Sequence, residues 1–147
     1  MDFMKLTIDN SALAEDFFCD AKILGVVAPV KDYRFCWLLN QALGCDFRLN
    51  ADIEIQLAKK SRQYFFSVYE YGETGNALVH YIYNNQFEGE YLLPEFRHLD
   101  FLWLMKGDDV QDSYIRYLQQ SIKNIPGVQL VTELEKEKIR NKTHLVF

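Results

Sequence analysis

The fold turns on one stretch: Tyr64-Phe65-Phe66-Ser67-Val68-Tyr69-Glu70-Tyr71, then Gly72-Glu73-Thr74-Gly75-Asn76, then Ala77-Leu78-Val79-His80-Tyr81-Ile82-Tyr83. Aromatic and β-branched side chains suit a pleated, half-buried surface, and Gly and Asn supply turn backbone. Two dense β runs joined by such a turn predict an antiparallel hairpin. On its N-terminal side Ile53, Ile55 and Leu57 alternate with Glu54 and Gln56, which predicts another strand. On its C-terminal side Asn84-Asn85-Gln86 turns the chain toward Tyr91-Leu92-Leu93, and Leu99 to Met105 reads as a further strand ended by Gly107. Phe47 to Met105 is therefore strand-rich.

Helical signals flank this region. Phe3 to Ile8 reads as a short opening strand, and residues 17, 19, 21, 23, 25 and 27 are all apolar or Gly, which predicts a strand over 17–28 with one buried face. Pro29 closes it. Asp32 is placed to cap a helix over Tyr33 to Leu43, with Gly44 as its left-handed stop. Only Arg34, Asn40 and Gln41 are polar in that helix, so two neighbours or a second subunit must cover it. A homodimer through helix 33–43 is the specific form of that expectation. Asp108 and Asp109 open a second helix with Val110, Tyr114, Tyr117, Leu118 and Ile122 on one face and Lys123 at its negative end. Ile125-Pro126-Gly127 stops it. Val128 to Leu134 is then a strand parallel to 99–105, Glu135 to Asn141 a charged helix, and Thr143 to Phe147 a last edge strand. The expected architecture is α+β: one domain, 1–147, with a mainly antiparallel mixed sheet of six to eight strands and two principal helices packed on it.

Composition narrows the function classes. In 147 residues, 49% are hydrophobic and 15% aromatic, too many for a disordered chain. Sixteen Lys and Arg stand against twenty-one Asp and Glu, a net of −5, and this argues against a nucleic-acid binder, whose affinity rests on displacing counterions. The apolar run Ile23 to Val30 is far short of the roughly 20 residues of a spanning helix, so no membrane association is expected. An acid at position 2 and no extended apolar segment behind it speak for the cytoplasm. The cysteines, Cys19, Cys36 and Cys45, are odd in number, form no C-x-x-C and sit among apolar neighbours, as small buried hydrophobes in a reducing compartment would.

The segment Leu93-Pro94-Glu95-Phe96-Arg97-His98-Leu99-Asp100-Phe101 resembles the signature of the bacterial IPExxxVDY family, with Leu93 for Ile, Leu99 for Val and Phe101 for Tyr. Lys31-Asp32-Tyr33-Arg34, Leu39-Asn40, Leu43-Gly44, Ile125-Pro126 and Leu145-Val146-Phe147 are similar to members of that family too, in the same order. The resemblance covers the chain from about Leu24 onward and implies no established activity, cofactor or catalytic residue. Read physically, Pro94 ends a strand or sits on an edge, and Asp100 is a carboxylate among apolar neighbours for which Arg34 or His98 are candidate partners.

No enzyme constellation stands out. Glu95-x-x-His98 has carboxylate-metal spacing, but one copy on a Pro-led connection does not make a site, and no metal or other cofactor is expected. His80 and His144 read as ordinary. None of the serines at 11, 61, 67 and 113 lies in G-x-S-x-G, and the glycines build no phosphate loop. The candidate binding residues are Asp32, Tyr33, Arg34, Glu95, Arg97, His98 and Asp100: a small anion or partner loop at the helix start, or else a cap with an internal ion pair from Arg34 to Asp100 or Glu95. Half of an RNA-recognition strand is present in Arg62, Tyr64, Phe66 and Tyr69, although the Gly positions hold Gln63 and Phe65 and Tyr69 falls on the opposite face. These residues point first to a cytoplasmic, non-catalytic binding or scaffolding domain acting through protein contacts, without naming the partner. The alternatives are an RNA-associated protein using strand 62–69 and a small-ligand receptor or enzyme around Asp32, Arg34, Glu95 and Asp100.

Overall fold

The computed structural model describes residues 14–73, 75, 77–107 and 110–147. Its centre is a six-stranded sheet built from β1 (Lys22–Val27), β2 (Arg48–Lys59), β3 (Arg62–Gly72), β4 (Val79–Asn84), β7 (Phe101–Lys106) and β8 (Leu130–Leu134). The strand order is β2-β3-β4-β7-β1-β8, and every neighbouring pair is antiparallel. A separate two-stranded hairpin holds β5 (Gln86–Phe87) and β6 (Glu90–Tyr91). Residues 14–18 belong to a first helix, α1; α2 (Asp32–Leu43) and α3 (Asp112–Lys123) are the principal ones. The α+β expectation is met.

The hairpin that decided the fold is β3–β4, with Gly72 opposite Val79 and Tyr71 opposite His80. Successive side chains on these strands go to opposite faces. Tyr64, Phe66, Val68, Tyr83, Leu102 and Leu104 enter one core layer, covered by Phe18, Leu92, Leu93, Leu99, Ile139 and Leu145. Tyr69, Tyr71, Ile82, Phe101, Trp103 and Met105 enter the other, beneath α2 and α3, which contribute Phe35, Cys36, Leu39, Ile115, Leu118 and Ile122. Gly107 ends β7 at φ 142, and a Cβ there would meet the Ala77 carbonyl oxygen at 2.6 Å, so the chain can pass under the hairpin tip only as glycine.

Several expectations change. The strand predicted over 17–28 begins at Lys22, because residues 14–18 are helical, and across 17–21 the alternation does not mark a face: Phe18 and Ala21 are buried while Cys19 is exposed. Being central, β1 buries both faces: Leu24 and Val26 under the helices, Ile23 on the other side. The opening strand 3–8 and the helix-opening acids Asp108 and Asp109 lie outside the described residues. α3 starts at Asp112; its buried residues are Ile115, Leu118 and Ile122, while Tyr117 faces solvent. β8 does run in the direction of β7, but β1 lies between them, so the crossover through α3 spans two strand positions. The tail forms short 3-10 turns at Lys136–Lys138 and Lys142–Leu145, where a charged helix and an edge strand were expected. Their job is to lay Ile139 and Leu145 over the sheet. Cys36 is buried, Cys45 half-buried and Cys19 exposed, so only part of the buried-cysteine expectation holds.

Candidate functional site

The residues singled out in the sequence fall on opposite sides of the sheet. Asp32 opens α2 with Lys31 as the cap residue; its Oδ1 accepts the Tyr33 N–H at 2.9 Å and its Oδ2 the Tyr69 hydroxyl at 3.2 Å. Burial first, and then Asp32, push the Tyr69 phenol well above its ordinary range. Arg34 lies 5.6 Å over the Trp37 ring and makes no ion pair with Asp100 or Glu95. Asp100 finds a backbone partner in place of a cation: its Oδ2 accepts the Ala28 N–H at 2.8 Å. Glu95 lies in the 3-10 turn Pro94–Phe96 on the far side and accepts the N–H groups of Arg140 and Asn141 at 2.7 and 2.9 Å and the Asn141 side-chain amide at 2.8 Å. Burial would raise its pKa, but these donors outweigh burial and hold it below the usual carboxylate range. Arg97 stacks over Tyr91 at 5.7 Å, and His98 is exposed beside Phe96.

The Pro-led signature is organised by Asn85, which is fully buried. Its side-chain amide donates to the carbonyls of Phe96 and Leu99 at 3.0 and 2.9 Å and its oxygen accepts the Leu93 N–H at 2.9 Å. Its backbone closes two further bonds, with Asp100 and Leu92. The segment is thereby a loop pinned to the sheet.

Of the RNA-like strand, Tyr64 and Phe66 are buried in the lower core, and Tyr69 faces α2 as its parity required. Two of the neighbouring cations are paired: Arg62 with Glu88 at 2.7 Å and Lys59 with Glu90 at 3.1 Å, both from the β5–β6 hairpin. No stacked ring is offered to a base there.

Two features carried by the helices do face outward. On α2, Tyr33 is 65% and Trp37 53% exposed, one turn apart, with Arg34 against the Trp37 ring. Between α2 and α3 a cleft of about 190 Å³ is lined by Cys45, Tyr71, Glu73, His80, Trp103 and Tyr114, with Tyr117 and Ser121 on its α3 side. His80 forms its floor, only 1% exposed and stacked on Tyr71. The Trp103 indole N–H donates to His80 Nδ1 at 3.0 Å, so the imidazole proton sits on Nε2 and points to Glu73 Oε1 at 3.2 Å. The Tyr114 hydroxyl donates to the same oxygen at 3.1 Å. Burial lowers the His80 pKa against the pull of Glu73, and a proton on Nδ1 would confront the Trp103 N–H; the ring is therefore neutral near pH 7. Burial and then Glu73 push the Cys45 thiol up to about 11, so it is not a thiolate. Both imidazole nitrogens are thus engaged and the neighbouring thiol is protonated.

Sequence reading passed over His80 because its partners come from β3, the residue after it and β7. The one local signal was a histidine directly across a hairpin from an aromatic, Tyr71. No helix among the described residues is long and apolar enough to cross a membrane, and no group of three His, Cys, Asp or Glu side chains among them is placed to hold a metal ion. No protein-family model matches the chain, and no curated protein matches it.

Proposed function

We propose that this chain is a cytoplasmic, non-catalytic binding domain that works through protein contacts, akin to the bacterial IPExxxVDY proteins, with the outer face of α2 as the contacting element and a second copy of the chain as its simplest partner. The observation that carries this reading is the exposed pair Tyr33 and Trp37 with Arg34 stacked beside it. Tyr, Trp and Arg are the residues that dominate interface energetics. The opposite side of the same helix already buries Phe35, Cys36 and Leu39, so α2 presents apolar surface on two sides. A two-fold pairing would bring the same aromatic face of each copy against the other, as an isologous contact requires.

Sedimentation equilibrium tests this directly. The wild-type chain is expected to show a concentration-dependent dimer at micromolar levels, and Trp37→Ser with Tyr33→Ser to stay monomeric. Both positions are exposed, so thermal unfolding of the double variant should move little, by about 0.5 kcal/mol per site. A wild-type chain that remains monomeric would remove the homodimer form.

A further inference from the structure

The cleft between the helices has a lining with a specific chemistry. Four aromatic side chains, Tyr71, Trp103, Tyr114 and Tyr117, line a space of about 190 Å³ together with Glu73, whose carboxylate accepts the Tyr114 hydroxyl. We propose that this cleft binds a small organic cation, a methylated ammonium head group, held by its aromatic lining with Glu73 as the counter-charge. Such a head group offers no N–H to satisfy, so its recognition rests on ring quadrupoles and a nearby negative charge.

The polar atoms of the lining favour that ligand class over others. The Tyr114 hydroxyl is committed to Glu73, the Ser121 hydroxyl donates to the Tyr117 carbonyl at 2.9 Å, and both nitrogens of His80 are engaged. The donors of the lining are thereby spent, so a ligand that needs to accept a hydrogen bond would have to break one of these bonds. An anion would meet the Glu73 carboxylate. Burial chiefly, with Glu73 among the further causes, raises the pKa values of Cys45, Tyr71 and Tyr114. The floor is preorganised, since His80 and Trp103 are both 1% exposed and bonded to each other, and Tyr117, at 65%, stands at the open side. This inference is independent of the α2 contact, which uses a different surface.

The chain has two tryptophans, and Trp37→Phe leaves Trp103 as the reporter inside the cleft. In that background, tetramethylammonium chloride titrated against sodium chloride at constant ionic strength should give a saturable change in emission. Choline should bind, and its uncharged isostere 3,3-dimethylbutan-1-ol should bind about tenfold more weakly or worse. Glu73→Gln, which keeps an acceptor for His80 and Tyr114, should weaken tetramethylammonium by a similar factor. Tyr117→Ala, at an exposed position that does not threaten folding, should weaken it as well. Comparing choline with the methylamide of acetyl-trimethyllysine separates the sources: tighter binding of the latter assigns the head group to a modified protein side chain, and equal or weaker binding to a free amine. No saturable response, equal affinity for the neutral isostere, or unchanged affinity in both variants would overturn the proposal.

Discussion

Two polar networks lie on opposite faces of one sheet and are wired differently. Around Asn85, Glu95 and Asp100 nearly every bond joins a side chain to main chain: Asn85 to the carbonyls of Phe96 and Leu99, Glu95 to the N–H groups of Arg140 and Asn141, Asp100 to the N–H of Ala28. Around His80 the bonds join side chain to side chain, Trp103 to His80 to Glu73 to Tyr114. Bonds to main chain fix where the chain goes. Bonds between side chains leave the path alone and set the charge, proton positions and rigidity of a cavity. The first network therefore reads as architecture even though it contains the most recognisable sequence pattern, and the second reads as a site even though it contains none.

If that division is right, the largest effect belongs to the hub. Asn85→Ala leaves the buried Leu93 N–H and Leu99 carbonyl without their partner, and takes one of two donors from the half-buried Phe96 carbonyl, which keeps the Leu99 N–H. At about 1–3 kcal/mol for each buried group left unsatisfied, with partial relaxation, the loss should be about 3–5 kcal/mol in urea unfolding at neutral pH. A loss below about 1 kcal/mol would mean that the loop finds other partners.

The cleft should respond more gently and with a pH signature that the hub lacks. His80→Phe keeps a ring over Tyr71 but strands the Trp103 indole N–H, which should cost about 1–3 kcal/mol. Because the folded-state pKa of His80 is lowered, the unfolded chain takes up a proton that the folded chain refuses once pH falls below about 6.5. Its contribution is thus fully present above that pH and declines on acidification, by at most about 1.4 kcal/mol per pH unit. Urea midpoints at pH 7.5 and 5.5 should show the gap between wild type and His80→Phe narrowing at the lower pH. His98 and His144 are common to both chains and cancel. A gap that is constant or widens would place a charged imidazole in the cleft and undo the neutral network.

What the sequence made legible divides along the same line. The β3–β4 hairpin and the end of α2 at Gly44, with φ 69, were readable because turn and cap chemistry is local. The two-residue turn Lys60-Ser61 was not, since both residues adopt positive φ without the Asn or Gly that announces it. The alternation from Phe17 to Val27 misled because it runs through helix, exit and strand without marking one face, and because a central strand hides its even residues as well as its odd ones. Asp100 was rightly seen to need a partner, but nothing in a sequence points to a backbone N–H seventy-two residues away. Most of all, the cleft joins a hairpin tip, three strands and a helix that meet only through the order β3-β4-β7 and the return of α3 over it.

The smallest effect belongs to Glu95, and it sharpens the comparison because it too is pH-dependent, with a window of its own. Its pKa is held below the ordinary carboxylate value near 4.5, so the folded chain resists protonation where the unfolded chain accepts it. The stabilisation is complete above that ordinary value and is lost as pH falls through the lowered one. Glu95→Gln keeps one acceptor oxygen for the N–H groups of Arg140 and Asn141 but loses the charge that strengthens them, a cost of about 1–2 kcal/mol at pH 7. Wild type and Glu95→Gln should therefore converge in stability only as pH falls below about 4, well under the window of His80. Because Glu95 holds the tail across the signature loop, amide exchange at Arg140 and Asn141 should quicken in the variant while that of Tyr114 and Ile115 in α3 stays unchanged. Faster exchange in α3 would show that the two networks are coupled through the sheet, and the separation between an architectural face and a binding face would fail.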